Sequence, residues 1–218
     1  NMKRTVFLIL SFCLTISVFA QATKSIRLGE PSASRKTDVM KAFQNRQSTN
    51  EYQSKDLSLQ DLSDLLWAAN GINRPQNGKK TAPSAMNSQD IDVYVCRADG
   101  VYLYDAAKKE LRQVAKKDLR PLMNGNRPND APVLLLLVAD LSRYKSYVPG
   151  NDEANKRLRD MSALDAGIVS QNISILCAAA ALGTRPRAYM NHDELRKELN
   201  LTNSQIIWLN HPVGYTKK

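Results

Sequence analysis

Val133-Leu134-Leu135-Leu136-Leu137-Val138, bounded by Pro132 on one side and Ala139-Asp140 on the other, is an unbroken aliphatic run. It is too short for a typical helix and has no polar position to turn toward water. It therefore reads as a central strand covered on both faces. Working toward the N-terminus, Ile91 to Cys96 is strand-like, Asp99-Gly100 is a hairpin turn signal, and Val101 to Tyr104 returns as the partner strand, with Leu111 to Val114 as an extension. Earlier still, Ser58 is an N-cap with Asp61 three residues on; Leu59, Leu62, Leu65, Leu66 and Ala69 form one helical stripe, and Gly71 is a stop. Trp67 beside this stripe reads as a packing residue. Val39, Met40 and Phe43 mark a shorter helix from Thr37 to Arg46.

On the C-terminal side a second buried element runs from Asp165 through Ile168, Ile173, Leu176 and Ala178 to Ala181 and stops at Leu182-Gly183. A helix so apolar on most faces belongs in a core or a subunit interface. Asn191 with Glu194 suggests a capping box ahead of Leu195 and Leu199. Ile206 to Leu209 reads as a last strand before Pro212 and Gly214. Helices and strands are mixed around a hairpin instead of alternating regularly, which argues for an α+β fold.

The ends carry a different message. Lys3 and Arg4 precede an apolar run from Val6 to Val18 that closes on Val18-Phe19-Ala20, which reads as a secretory signal peptide of residues 1–20. Export to the periplasm or beyond is the expectation, and the run is shorter than the ~20 residues of a membrane span. Residues 21–36 lack periodicity and read as a flexible or draped arm, dispensable for folding, ahead of one domain over 37–218. The net charge of +10 comes from scattered Lys and Arg, with no long basic tract, and so describes a basic surface with room for an anionic ligand more readily than a nucleic-acid platform. Cys96 and Cys177 lie in apolar surroundings and are expected as buried thiols, with a disulfide between them as the alternative that export would permit. With only His192 and His211 and no close cysteine pair, no zinc spacing exists.

No nucleophile elbow, phosphate-binding glycine loop or paired-carboxylate signature appears. Four separated segments instead carry a family likeness. Asn45-Arg46-Gln47-Ser48-Thr49-Asn50-Glu51-Tyr52 offers a guanidinium that can fork onto a phosphate and a hydroxyl beside it. Thr81-Ala82-Pro83-Ser84-Ala85-Met86-Asn87-Ser88-Gln89 is a loop of small residues leading into a strand. The apolar helix turns into Thr184-Arg185-Pro186-Arg187-Ala188-Tyr189. The chain ends Pro212-Val213-Gly214-Tyr215 with Lys217 and Lys218.

In this order the segments resemble the FMN-binding nitroreductase superfamily, and Leu65-Leu66-Trp67-Ala68-Ala69-Asn70-Gly71-Ile72 resembles its thiazole/oxazole-forming dehydrogenase branch. The resemblance implies a sandwich with a central, mostly antiparallel sheet flanked by helices. It implies FMN at the interface of an intertwined homodimer, with NAD(P)H or another reductant as donor and a small organic molecule as substrate. It gives Arg46, Gln47, Ser48 and Asn50 to the phosphate, ribityl and pyrimidine region, Asn50 standing where relatives carry a second cation. Pro83, Ser84, Ala85, Met86 and Asn87 fall to the ring edge, and Pro186, Arg187 and Ala188 to the neighbourhood of flavin N5. Lys217 or Lys218 falls to the phosphate. Because the flavin performs the redox chemistry, no acid, base, nucleophile or metal is required of the protein. The alternative is a degenerate relative that binds flavin or another anion without turnover.

Overall fold

A computed structural model describes residues 23–32, 34–35, 38–125 and 131–217. The expected signal peptide and Lys218 lie outside the described residues. The Leu-rich run forms strand β7, Val133–Asp140, buried at every residue from Val133 to Ala139. It sits inside a seven-stranded sheet in the order β1-β6-β5-β4-β7-β9-β8, every pairing antiparallel. The other strands are β1 (Ser25–Arg27), β4 (Ile91–Arg97), β5 (Gly100–Asp105), β6 (Glu110–Ala115), β8 (Leu182–Thr184) and β9 (Gln205–Tyr215). β2 (Ile72–Arg74) and β3 (Lys79–Lys80) form a separate small ribbon. The helices are α1 (Val39–Asn45), α2 (Leu59–Asn70), α3 (Asp152–Ala179) and α4 (His192–Glu198).

The two-residue period of β7 sorts its side chains between two cores. Leu135 and Leu137 join Leu62, Leu65, Leu66 and Ala69 of α2 and Ala166, Val169, Ile173 and Cys177 of α3. Leu134, Leu136 and Val138 face the other way, onto Tyr52, Met123, Leu195 and Leu199. Each such leucine contributes roughly 1.5–3 kcal/mol by leaving water. Both cysteines are free and buried, one in each core.

Several expectations need correction. The long helix begins at Asp152, thirteen residues before the apolar pattern does, because Asn151 caps it by accepting from Ala154 N–H at 3.0 Å. The last strand runs on through Pro212 and Gly214 to Tyr215. It can do so because pairing with β8 begins only at Val213, which leaves Pro212 beside an edge that needs no donor. Asn191 does head α4, but its side chain makes no capping bond. Gly71 ends α2 with an extended backbone, and its lack of a side chain matters for contact: a Cβ there would lie 2.6 Å from the Trp67 ring. Val39, Met40 and Phe43 turn away from the core and are each more than half exposed.

The arm is structured where it is described. Ser25–Arg27 pairs with Glu110–Arg112 as an edge strand, and Leu28 is buried. Arg35 bonds Asp61 at 2.5 Å and Asp64 at 2.7 Å, the latter carboxylate almost fully enclosed.

The Pro83–Gln89 segment is seated on two buried acids. Asp165 of α3 accepts Ala85 N–H at 2.9 Å and the Tyr144 hydroxyl at 3.1 Å. Asp90 Oδ1 accepts the Ser88 hydroxyl at 3.0 Å, while its Oδ2 is buried with no partner among the described residues. Burial first, and then the Asp165 charge, pushes the Asp90 carboxyl up to about 6. Above these acids Met86, Asn87 and Gln89 all adopt left-handed backbone, with φ of 53°, 54° and 50°. The hydroxyl of Ser84 accepts Gln89 N–H at 2.8 Å, and Arg143 donates to Gln89 O at 2.8 Å while pairing with Asp92.

Two outcomes follow for stability. Deleting the chain through Arg35 empties Leu28's pocket and takes the Arg35 and Ser32 donors from Asp64, and should lower urea stability by at least ~2 kcal/mol; an unchanged midpoint would return the arm to a dispensable role. For Asp90 the folded-state value lies above the unfolded one, so its contribution is complete below about 4 and is lost as pH rises through about 6. Relative to Asp90→Asn, the wild type should therefore lose up to roughly 3 kcal/mol between pH 4 and 6.5. Parallel pH profiles for the two proteins would show that the fold does not raise the Asp90 carboxyl.

Candidate functional site

The segment after α1 is threaded between two strand ends. Ser48 pairs with Thr184 of β8, Thr49 N–H donates to Thr184 O at 3.2 Å, and Tyr52 pairs with Thr216 after β9. Gln53 continues the connection, its N–H donating to Tyr215 O at 2.8 Å and its amide to Thr216 O at 2.8 Å. Tyr52 is buried and donates its hydroxyl to Thr49 O at 2.6 Å. These bonds fix the backbone around Ser48 against the sheet. Gly183 allows the close approach, since a Cβ there would meet the Thr49 methyl at 2.4 Å.

The result is a cleft of about 380 Å³ at the C-terminal end of α3. Ser48, Thr49, Ser174, Thr184, Thr216 and Lys217 are among the residues that line it, and no Asp or Glu does among the described residues. A polar cleft with donors, one cation and no carboxylate suits an anion. Arg46 lies between Asn45 and Gln47, which both line the cleft. It is exposed, and no hydrogen bond or ion pair engages its guanidinium among the described residues. Asn50 is exposed as well, beyond the cleft lining.

Of the expected site residues, the fold thus collects Gln47, Ser48 and Lys217, with Arg46 at their side. It does not bring Pro83, Ser84, Ala85, Met86 and Asn87 to them. Ala85 is anchored at Asp165, and twelve residues of helix separate Asp165 from Cys177 at the cleft, about 18 Å at 1.5 Å per residue. Pro83, Met86 and Asn87 are exposed there, facing away from the protomer's own core.

Arg187 is used by the fold. Its side chain donates to Asn210 Oδ1 at 2.7 and 3.0 Å, to Met123 O at 3.1 Å and to Asn124 Oδ1, while its backbone pairs with Asn210. Burial and the charge of Arg185 lower its pKa. Ala188 opens onto a different, larger cleft of about 910 Å³ along β9, and Pro186 beside it is exposed. Ala188 keeps ordinary backbone, and the left-handed residue of this region is Ala181, with φ of 56°.

Two features were not foreseen from the sequence. His211 is fully buried, with Nδ1 3.2 Å from Thr184 Oγ1 and Nε2 2.8 Å from Ser170 Oγ. Burial, reinforced by Arg187, lowers its pKa to about 3, so the ring is neutral at physiological pH. Arg185, following Thr184 in the chain, keeps a buried Nε without a partner among the described residues. Neither feature has a local sequence signature, because the partners lie 27 and 41 residues apart.

Comparison with known proteins identifies the family of the fold. The sequence profile of the Nitroreductase family matches residues 43–215. A Methanocaldococcus jannaschii protein assigned to the nitroreductases is 26% identical over 180 residues, covering 78% of this chain and 86% of its own. A Ralstonia eutropha crystal structure given the same assignment superposes with a TM-score of 0.80 at 32% identity, over 89% of this chain and 90% of the other. A chain of the Escherichia coli microcin synthetase McbBCD complex shares the fold, with a TM-score of 0.66 at 17% identity, over 99% of this chain and 85% of that one. With its antiparallel sheet, its flanking helices and a family match running from Phe43 to Tyr215, this chain belongs to the nitroreductase family of oxidoreductases.

Proposed function

We propose that the protein is an FMN-dependent oxidoreductase that works as an exported homodimer and exchanges hydride with a small organic substrate. The observation that carries this reading is the carboxylate-free cleft lined by Ser48, Thr184 and Lys217. Its residues fit the phosphate end of FMN: hydroxyl donors, an ammonium and the exposed Arg46 guanidinium together match a dianionic phosphomonoester. FMN, when bound, supplies the hydride acceptor and donor, which the described side chains do not. The chain's own residues then bind and orient. Arg46, Ser48 and Lys217 would hold the phosphate end, and the clamp of Arg187 on Asn210 and Asn124 stiffens the Pro186–Ala188 turn.

A second copy completes the site in this reading. The Pro83–Asn87 loop is too far along α3 to close its own cleft, yet it is exposed and rigidly seated. On α3, Leu164 is 71% exposed, and Ile168 and Ile175 share its face at helical spacing. Val39, Met40 and Phe43 add an exposed apolar face on α1, which packs against α3. By length and composition α3 would also pass for a membrane span, but its other side is locked to α2, β7 and β9. Covering its bare face with a partner's identical face brings the partner's loop toward this cleft. Nicotinamide nucleotides are cytoplasmic metabolites, so export calls for a different small reductant in place of NAD(P)H.

Two measurements check these points. Arg46→Ala should weaken FMN binding roughly 10- to 150-fold while leaving riboflavin binding almost unchanged, because only FMN carries the phosphate. Equal losses would give Arg46 to the fold, and stopped-flow reduction of the bound flavin separates turnover from mere binding. Light scattering should show a dimer at micromolar concentration; a monodisperse monomer would end the shared-site reading.

A further inference from the structure

The walls of the cleft include one hydroxyl whose proton is directed by groups behind it. Thr184 is among the residues that line the cleft and is only 4% exposed. Its Oγ1 lies 3.2 Å from His211 Nδ1, and the opposite ring nitrogen lies 2.8 Å from Ser170 Oγ on α3. All three residues are buried.

A neutral imidazole has one N–H, which allows two arrangements of this chain. In the first, His211 Nε2–H donates to Ser170 and the Thr184 hydroxyl donates to Nδ1. The Ser170 proton then needs an acceptor. Among the described residues Ser170 Oγ has no partner besides His211, and the Ser170 carbonyl is already taken by the Ser174 hydroxyl at 3.0 Å. That arrangement buries an unmade donor, which costs about 1–3 kcal/mol. In the second, the Ser170 hydroxyl donates to Nε2 and Nδ1–H donates to Thr184 Oγ1. Every buried donor is then satisfied except the Thr184 proton, which is left for whatever occupies the cleft. The first arrangement would show an anion only lone pairs; the second shows it a donor.

We propose that Thr184 is a phosphate-binding residue whose hydroxyl is committed as a donor to the cleft by the buried chain Ser170–His211–Thr184. The inference rests on the reading of the cleft as the FMN phosphate site. It assigns His211 and Ser170 as positioning residues, which set the direction of the hydrogen bonds without touching the ligand. The same geometry explains why a histidine is tolerated in an apolar core: each ring nitrogen has one partner, and burial holds the ring neutral, with its pKa lowered to about 3.

The test uses the full chain with FMN and riboflavin as separate probes, and nitrogen NMR of the imidazoles. The chain has only two histidines, so His211 is assigned by comparison with His192→Gln. Thr184→Val, which keeps the shape and removes the hydroxyl, should weaken FMN binding roughly 10- to 100-fold and leave riboflavin within about twofold, while Thr184→Ser should stay close to wild type. His211 should be the neutral Nδ1–H form at pH 7. If Thr184→Val binds FMN as the wild type does, the inference fails and the phosphate reading stands. If the wild type itself does not prefer FMN to riboflavin, the phosphate reading fails and the inference with it. An Nε2–H or doubly protonated His211 overturns the donor assignment even if Thr184→Val does not fold.

Discussion

Seven consecutive residues of β7 are removed from water on both sides, and this demand for two roofs organises the rest of the chain. One roof is built from α2 and α3, the other from α4, Tyr52 and the Leu119–Met123 turn. A single long helix therefore crosses the sheet, and both candidate binding segments are placed along it. The Pro83–Gln89 loop is pinned at its middle through Asp165, and the Ser48 strand end meets its C-terminus through β8. Their separation in one protomer is a consequence of the helix length. The roof that separates them also leaves Leu164 exposed. The same apolar helix that stabilises the protomer thus supplies the face by which a second copy would reunite the two halves of a site.

Polar groups were set into this roof at specific heights. Asp165, Ser170 and Ser174 all lie on the buried side of α3, where an unpaired polar atom is expensive. Each has a task that accounts for it. Asp165 holds a loop containing three left-handed residues, a conformation costing of order 1 kcal/mol or more at each. Ser170 orders a histidine, and Ser174 faces the cleft. Strain in the loop and burial of the acids belong to one arrangement, since Ala85 N–H of the loop donates to the buried Asp165 carboxylate.

What could be read from the sequence was whatever one element encodes by itself. The Val133 run, the Asp99-Gly100 hairpin and the Ser58 cap follow from local chemistry, and each forms where that chemistry puts it. The first thirteen residues of α3 were missed because Asp152 to Leu164 carry charge on most faces, so only the Asn151 cap marks the start. β1 is an edge strand held by three pairings and one buried leucine, too little apolar signal to show a period. Within the site, Ser48, Gln47 and Lys217 were legible as motif residues. Thr184, His211 and Ser170 were not, because their chemistry exists only once β8, β9 and α3 are packed together.

Two arginines show why a motif position does not by itself assign a role. Arg46 and Arg187 both occupy positions at which the family resemblance places a group near the cofactor. Four hydrogen bonds already leave the Arg187 guanidinium, which offers five N–H donors in all. Turning it toward a phosphate would take this donor from Asn210 and the Met123 carbonyl in a half-buried setting, at about 1–3 kcal/mol for each acceptor left unsatisfied. Its charge is also already opposed by that of Arg185, which helps to lower the Arg187 pKa. Arg46 faces neither cost, because it is exposed and uncommitted among the described residues. In the proposed reading, selection of an anion falls to the exposed Arg46 guanidinium and to the hydroxyl-bearing residues that line the cleft. The buried guanidinium stiffens the turn that leads away from them.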